Sequence, residues 1–338
     1  MTPDALNQSR STPPLRLVAV VVTCNRLAQL RVTLAALLAA PPEELAAVLV
    51  VDNASDDGTG AFLAAQSDPR LSVLTSERNL GGAGGFETGL RHADAHLAPD
   101  WVVVMDDDAR PAPDALAVFH ALDKTGLDGL AAAAFHPDGT ICEMNRPTLN
   151  PFWHKRILLR TALGGGRSAF HLDEQDFATP GTRPIDGASF VGLFLSARVF
   201  KTAGYPDGRL FLYGDDAIYT LGLTRAGFRL AFDPSVRFEH DSTTYSVADR
   251  RIRPLWKVYY YHRNLLILYR LATGPLFWPV LLVILPKWLS KTRYHGGERR
   301  TFLRLLGAAI RDGLRQRTDV PHSRVVEAAQ PYRANNSR

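Results

Sequence analysis

A chain of 338 residues with 46% hydrophobic and 22% charged residues is long enough to bury a large core and is not a disordered polymer. Its two cysteines, Cys24 and Cys142, exclude a disulfide framework, suit a reducing cytoplasm and lack metal-ligand spacing. The net charge of +5 is uneven: from Lys287 onward there are 12 Lys+Arg against 4 Asp+Glu, and the first 286 residues carry 27 against 30. A neutral body with a cationic end argues against a nucleic-acid partner and points to an anionic surface such as a membrane, with a solvated helix face as the competing reading.

Residues 1–14 have no apolar segment of the secretory kind and are expected to be a disordered lead-in. "LRLVAVVVTCN" (15–25) reads as a strand buried on both faces, and residues 26–40 as a helix stopped by Pro41–Pro42. A second buried strand (45–55), a helix opening (57–66), a short strand (71–77), the glycine-rich "NLGGAGGF" (79–86), a helix (85–97) and a fourth strand, "WVVVMDDD" (101–108), follow. Strands and helices alternating at this spacing predict an α/β fold, a mostly parallel sheet flanked by helices that binds ligands at the carboxyl ends of its strands.

Those ends carry Thr23, Asn25 and Arg26, then Asp52 and Asn53, then Arg78 and Asn79, then Asp106, Asp107 and Asp108, the equipment of a nucleotide site. Three successive carboxylates beside an apolar strand raise one another's pKa, and a divalent Mg²⁺ or Mn²⁺ relieves that conflict; solvated turn aspartates are the alternative. Strand alternation would point Asp106 and Asp108 one way and Asp107 the other. The glycine loop, with Gly81 and Gly82, reads as main chain held near a pyrophosphate or sugar, or else as a flexible structural turn. Downstream, Asp215–Asp216 sit on a glycine turn before a helix, and "FRLAFDPSVRFEH" (228–240) reads as strand, turn and second strand delivering His240. Together they offer a base for an incoming hydroxyl and a further metal ligand. Residues 187–200 look like a buried strand entering a helix, and Trp153, His154 and Asp186 are candidates for an acceptor pocket, with packing roles equally open.

Seven segments in order, "VVVTCNR", "VVDNASDDGT", "RNLGGAGGF", "VVVMDDDARP", "LFLYGDDAIYTLGLTRAGFRLAFDP", "RFEHDS" and "YYYHRNLLIL", resemble a family 2 inverting glycosyltransferase of the GT-A (Rossmann-like) fold over about residues 16–270. The glycine segment and "YYYHRN" are most similar to the bacterial galactofuranosyltransferase and rhamnosyltransferase branch. The resemblance implies a nucleoside-diphosphate sugar donor, a glycan or lipid-linked acceptor and a Mn²⁺ or Mg²⁺ cofactor. It implies that Asp52 contacts the uracil or ribose, with Thr23, Asn25 and Arg26 near the nucleotide. It further implies that Asp106 and Asp108 end a D-x-D motif with the metal on Asp108, that Asp216, beside Asp215, takes the acceptor proton, and that His240 completes the metal shell. The sequence departs from the family in "GDD" for the commoner "GED" and in "AIYTLGL" after it, where the acceptor contacts lie.

On this reading, residues 15–250 form the transferase domain, with a nucleotide-sugar half (15–125) and an acceptor half (126–250). A helical region (251–320) and a flexible tail (321–338) complete the chain. Arg270 and the prolines interrupt the apolar stretch 265–289, which is expected to lie on the membrane as an interfacial helical hairpin rather than span it. The protein is thus expected to be cytoplasmic and peripheral at the inner face of the cell membrane. A nucleotidyltransferase and a catalytically silent nucleotide-sugar binding module are the alternatives.

Overall fold

The computed structural model describes residues 15–241 and 251–330; the expected lead-in, 1–14, lies outside the described residues, and of the expected flexible tail, 321–338, residues 331–338 do too, whereas His322–Ala329 form a helix with Val325 buried. In chain order the elements are β1 (Leu17–Thr23), α1 (Leu27–Ala39), β2 (Ala47–Asp52), α2 (Thr59–Ala64), β3 (Leu71–Thr75), α3 (Gly81–His96), β4 (Trp101–Asp106), β5 (Ala109–Pro111) and α4 (Ala115–Ala121). The second half follows with β6 (Gly129–Phe135), α5 (Lys155–Arg160), α6 (Glu174–Ala178), β7 (Arg183–Ile185), β8 (Leu193–Ser196), α7 (Ala197–Ala203), α8 (Asp215–Arg225) and β9 (Leu230–His240). Four helices close the described chain: α9 (Lys257–Thr273), α10 (Phe277–Ser290), α11 (Arg299–Leu314) and α12 (His322–Ala329).

One sheet runs in the order β3-β2-β1-β4-β8-β6-β9-β5, with β7 also on β9. The first four strands are parallel, and β8 joins antiparallel to β4. β1 and β2 are buried along their whole length because helices cover both faces, which is why they read as unbroken apolar runs. Leu30, Leu34 and Leu37 of α1 and Phe119 of α4 pack on one face, and Phe86, Leu90 and Ala93 of α3 on the other. The chain winds outward from β1 to β3 and returns on the far side of β1 as β4, so a crevice opens at the carboxyl ends of β1 and β4.

The glycine segment is not a loop. Helix α3 begins at Gly81, four residues before the expected start, and two of its glycines, Gly85 and Gly89, face the sheet. A Cβ on Gly85 would lie 2.5 Å from Val22 Cγ1, and one on Gly89 2.6 Å from Val20 Cγ1. The missing side chains let the helix backbone seat directly on β1, a packing demand that outranks glycine's poor helix propensity.

Residues 228–240 also differ from the expected strand, turn and strand. β9 is one strand, paired Asp233 to Ala132 and then Arg237 to Ala133, so Pro234, Ser235 and Val236 form a bulge. The Asp233 carboxylate accepts the Ser235 N–H at 3.0 Å, closing the bulge locally.

At the C-terminal end, α9 and α10 form an antiparallel hairpin. The Arg270 guanidinium stacks 4.8 Å over Phe277, and the Trp288 ring sits 4.8 Å from His262. The hairpin starts at Lys257 rather than 265, and its α9 arm is buried, with Val258, Tyr260 and Leu266 in a third core together with Phe302 and Leu305 of α11. By length and composition the helical stretch 257–314 could cross a membrane. Gly274 and Gly296, at φ +53° and +43°, divide it, and the 14 residues of α10 rise only about 21 Å, short of a hydrocarbon core of about 30 Å.

Candidate active site

The strand register sets the floor of the crevice: Thr23 lies opposite Asp52, Asp52 opposite Thr75, and Val22 opposite Asp106. The loops after β1 and β2 are tied together, Asn25 accepting the Asp56 N–H at 2.7 Å and donating its own N–H to Ser55 Oγ at 2.9 Å. Asn25 adopts φ +56°, a left-handed conformation that asparagine tolerates. The buried Asp52 carboxylate accepts the Ser55 N–H at 3.0 Å.

Asn53 joins this floor to α3, donating to Gly81 O at 2.9 Å and accepting the Leu80 N–H at 2.8 Å. Asn79 Oδ1 accepts the Gly81 N–H at 2.7 Å, and Phe211 O accepts that of Ala83 at 3.2 Å. The helix start expected to cradle an anion therefore has these amides already satisfied by protein groups. Gly82 is the open position, where a Cβ would meet nothing within 4 Å. Arg78 is exposed at the end of β3.

The strand carrying the aspartates stops at Asp106, so alternation does not govern the two that follow. Thr23 Oγ1 donates to Asp107 at 2.7 Å, and Arg26 reaches both carboxylates, with Nε 3.3 Å from Asp107 and Nη2 2.7 Å from Asp108. Asp107 is thus turned inward onto β1. Pairing of β5 with β9 sets His240 opposite Ala109 and brings its Nε2 to 3.3 Å from Asp108 Oδ1. Burial, with the charges of Asp108 and Asp107 added and that of Asp216 behind them, pushes the Asp106 carboxyl up to about 7, against a smaller opposing effect of His240. Burial works against a charge on His240 too, but the facing Asp108 carboxylate and Cys142 prevail and push it up to about 10.

The donor set fits a divalent cation. His240 Nδ1 lies 2.8 Å from Asn145 Oδ1, and the amide nitrogen of Asn145 is committed to Ser189 Oγ at 2.9 Å, so Nδ1 carries the proton. Nε2 then faces Asp108 Oδ1, a buried oxygen with no hydrogen-bond partner. Two such atoms require a proton or a cation between them. Their 3.3 Å separation is close to the roughly 3 Å between neighbouring ligands on one ion with bonds of about 2.1 Å. Among the described residues no three His, Cys, Asp or Glu side chains are already arranged to hold a metal ion. An ion here would lean on Asp108, His240 and Asp106 and be completed by phosphate oxygens, the usual habit of Mg²⁺.

Asp215 and Asp216 open α8, after Gly214 at φ +74°. Both carboxyls are raised, first by burial and, for Asp215, by the Asp216 charge beside it. Asp216 Oδ1 accepts the Ala217 N–H at 2.7 Å. The preceding turn holds two aromatic residues in left-handed backbone, Phe211 at φ +68° and Tyr213 at φ +71°, each costing about 1–3 kcal/mol. Buried side chains from α9 hold that turn: Asn264 donates to the carbonyls of Leu210, Leu212 and Tyr213, and Arg263 to that of Leu210.

Thr23, Arg26, Asp106, Asp107, Asp108 and His240 are thus brought together, with Asp216 near enough to act on Asp106. Asp186 is not among them: its carboxylate accepts from Asn150 N and pairs with His154 Nε2, both at 2.6 Å, pinning the segment that carries Trp153. Its carbonyl accepts from Thr224, nine residues, or about 13 Å, along α8 from Asp215. Sequence reading missed Asn145, which orients His240, and gave no separate role to Arg263 and Asn264. The only signal for Asn145 is spatial. For the other two it was a polar pair inside an aromatic and aliphatic helix.

Residues 18–171 match the family described as Glycosyl transferase family 2. The chain is 32% identical over 211 residues to the galactofuranosyltransferase GlfT1 of Mycolicibacterium smegmatis, a match covering 62% of this chain and 65% of the relative. It is 27% identical over 222 residues to the N-acetylglucosaminyl-diphospho-decaprenol L-rhamnosyltransferase of Mycobacterium tuberculosis, covering 59% and 67%. The fold is shared with the crystal structure of GalNAc-T7 with UDP, GalNAc and Mn²⁺, at a TM-score of 0.53 and 13% identity over 76% of this chain and 48% of that one. The chain spans a little under two thirds of the length of the galactofuranosyltransferases it matches.

Proposed function

Through residues 18–171 the chain is a member of glycosyltransferase family 2 on a GT-A-like fold, and on that premise we propose that it transfers a sugar, galactofuranose or rhamnose, from a nucleoside diphosphate to a hydroxyl of a glycan or lipid-linked glycan of the cell envelope, inverting the anomeric centre. The observation that carries this reading is the meeting of two carboxylate groups from distant parts of the chain, Asp106–Asp108 and Asp215–Asp216, at the carboxyl edge of a parallel sheet.

Asp52, with Thr23, Asn25 and Arg26, takes the nucleoside, and Asn79, Gly81, Gly82 and the exposed Arg78 face the diphosphate and sugar. Asp106, Asp108 and His240 would hold Mn²⁺ or Mg²⁺, which when bound supplies positive charge to the diphosphate leaving group. Asp107 holds Arg26 and Thr23 in place. Asp216 accepts the proton of the acceptor hydroxyl as its oxygen bonds to the anomeric carbon; the bond from that carbon to the phosphate oxygen breaks, and its electron pair leaves on the nucleoside diphosphate. A carboxyl raised by burial is a stronger base than a solvated one and suits this role. Trp153, and Asp186 through the segment it pins, belong to the acceptor side.

The membrane reading rests on α10, whose outward face exposes Trp278, Leu282 and Val283 next to the cationic Lys287, Lys291 and Arg293. Apolar residues beside basic ones suit an anionic interface, so the enzyme would work peripherally at the inner face of the membrane on a lipid-linked acceptor. The name of the mycobacterial rhamnosyltransferase, which carries a diphospho-decaprenol acceptor, supports that acceptor class.

The test is a screen of UDP-galactofuranose, dTDP-rhamnose and common UDP-hexoses for Mn²⁺-dependent binding and for transfer to N-acetylglucosaminyl-diphospho-prenol, bare or rhamnosylated. One donor should bind only with the cation and be turned over. Equal binding with and without cation, or binding with no turnover on any acceptor, would overturn the proposal.

A further inference from the structure

The turn 210–214 is a junction of three parts of the molecule. On one side it continues into Asp215–Asp216 at the head of α8. On the second it presses on α3: Phe211 O accepts the Ala83 N–H, a Cβ on Gly81 would lie 2.0 Å from that same oxygen, and Gly208 N donates to Glu87 at 3.0 Å. On the third it is gripped by α9.

The grip comes from two side chains that are almost wholly buried, Arg263 and Asn264. One amide group of Asn264 addresses three carbonyls, Leu210 at 3.0 Å, Leu212 at 2.9 Å and Tyr213 at 2.8 Å. Its oxygen accepts Arg263 Nε at 2.8 Å, and Arg263 Nη2 donates to Leu210 O at 2.8 Å and Arg209 O at 3.3 Å. A helix that needed only to pack would present apolar groups here, since a buried polar group costs free energy unless it is hydrogen-bonded; both ends of the Asn264 amide are bonded, while Arg263 Nη1 has no hydrogen-bond partner among the described residues. The donor capacity of Asn264 is spent on a turn whose two aromatic residues adopt backbone angles they would not hold by themselves.

We propose that Asn264 is a positioning residue for the Asp215–Asp216 pair: by clamping the 210–214 turn from α9, it fixes where the base stands relative to the donor side at α3. This rests on the reading of Asp216 as the base. Arg263 orients the Asn264 amide and holds the first carbonyl of the turn.

The experiment compares wild type, Asn264→Ala, Asp216→Asn and the double variant. It reads kcat and KM for UDP release from UDP-galactofuranose with Mn²⁺ and the prenyl-linked acceptor, with calorimetric affinity for UDP and Mn²⁺ alongside. Displacing a catalytic group by about 1 Å costs about a hundredfold, so Asn264→Ala should lower kcat by about that factor and leave UDP affinity within about threefold. The double variant should be no slower than Asp216→Asn alone, because Asn264 acts only through that carboxylate. Unchanged kcat in Asn264→Ala, a parallel collapse of UDP binding, or an additional loss in the Asp216→Asn background would each overturn the proposal. Should Asn264→Ala fail to fold, Gly214→Ala strains the same turn at φ +74° with Asn264 intact. It should show the same split of kcat from UDP affinity, and full turnover in it would overturn the proposal. Wild-type turnover in Asp216→Asn would sink the base assignment itself, whereas full turnover in Asn264→Ala beside a crippled Asp216→Asn would sink only the clamp.

Discussion

The two sides of the crevice are held by different physics. The side proposed to hold the donor stands on four hydrogen-bonded parallel strands whose ends are aligned by register, so Thr23, Asp52 and Asp106 are fixed by the sheet itself. The side proposed to carry the base stands on a turn with two strained aromatic residues, fixed by two polar side chains from a helix some fifty residues further on. The first arrangement is rigid because its backbone partners are internal to the sheet; the second depends on the C-terminal helices being folded.

The largest effect expected is on the base side. Asp216→Asn should lower turnover by about two to four powers of ten with UDP binding intact, checked by steady-state kinetics and calorimetry; near-normal turnover would remove the base from this side altogether. In wild type, kcat should fall as pH drops, because the base works unprotonated, and the midpoint should lie above the roughly 3.9 of a free aspartate. A midpoint at or below that value would mean that burial does not raise this carboxyl.

On the donor side, Asp108→Ala or a chelator should abolish the Mn²⁺-dependent part of UDP binding, read by titration with and without metal. Equal affinities in both would show that the carboxylate cluster is a structural knot around Arg26. Gly89→Ala pushes a methyl group to 2.6 Å from Val20 and 2.9 Å from Val51 and should cost about 1–3 kcal/mol of stability, seen as a lowered thermal midpoint. Wild-type stability would mean that the close seating of α3 on β1 is not required.

The smallest effect on the isolated protein is expected from Trp278→Glu with Leu282→Glu. The pair should leave thermal stability and UDP binding unchanged and remove cosedimentation with anionic liposomes. Retained sedimentation would take the membrane contact away from α10. Deleting residues 265–338 would be a poor version of this test, since it cuts α9 just after Asn264 and removes Leu266 and α11 from a shared core.

How much of this could be read from the sequence follows from the same contrast. β1, β2 and β4 were legible because burial on both faces writes an unbroken apolar run, and the polar residues ending those runs marked the crevice edge. The glycine run 79–86 was misread as a loop because its cause is not local: Val22 beneath Gly85 and the Phe211 carbonyl against Gly81 account for it. The bulge at Pro234–Val236 was taken for a turn because its partner strand, β6, is a hundred residues upstream. Asp215–Asp216 stood out as chemistry, but nothing local to them named Asn264 as their support. Asn145, a lone asparagine, acquires meaning only through the His240 ring against it.

On the proposed function, the pairing of Val22 with Asp106 has a consequence for how the transferred sugar could change. Neighbouring strands keep a spacing of about 4.8 Å, so the nucleoside end and the phosphate end of the floor cannot be moved apart without breaking the sheet. Variation in the transferred group has to come from outside that floor, from the 208–214 turn that presses on α3 and from the 148–154 segment proposed for the acceptor side. Exchanging those segments with a relative of different donor preference should therefore carry the preference across, while grafting the floor should carry nothing.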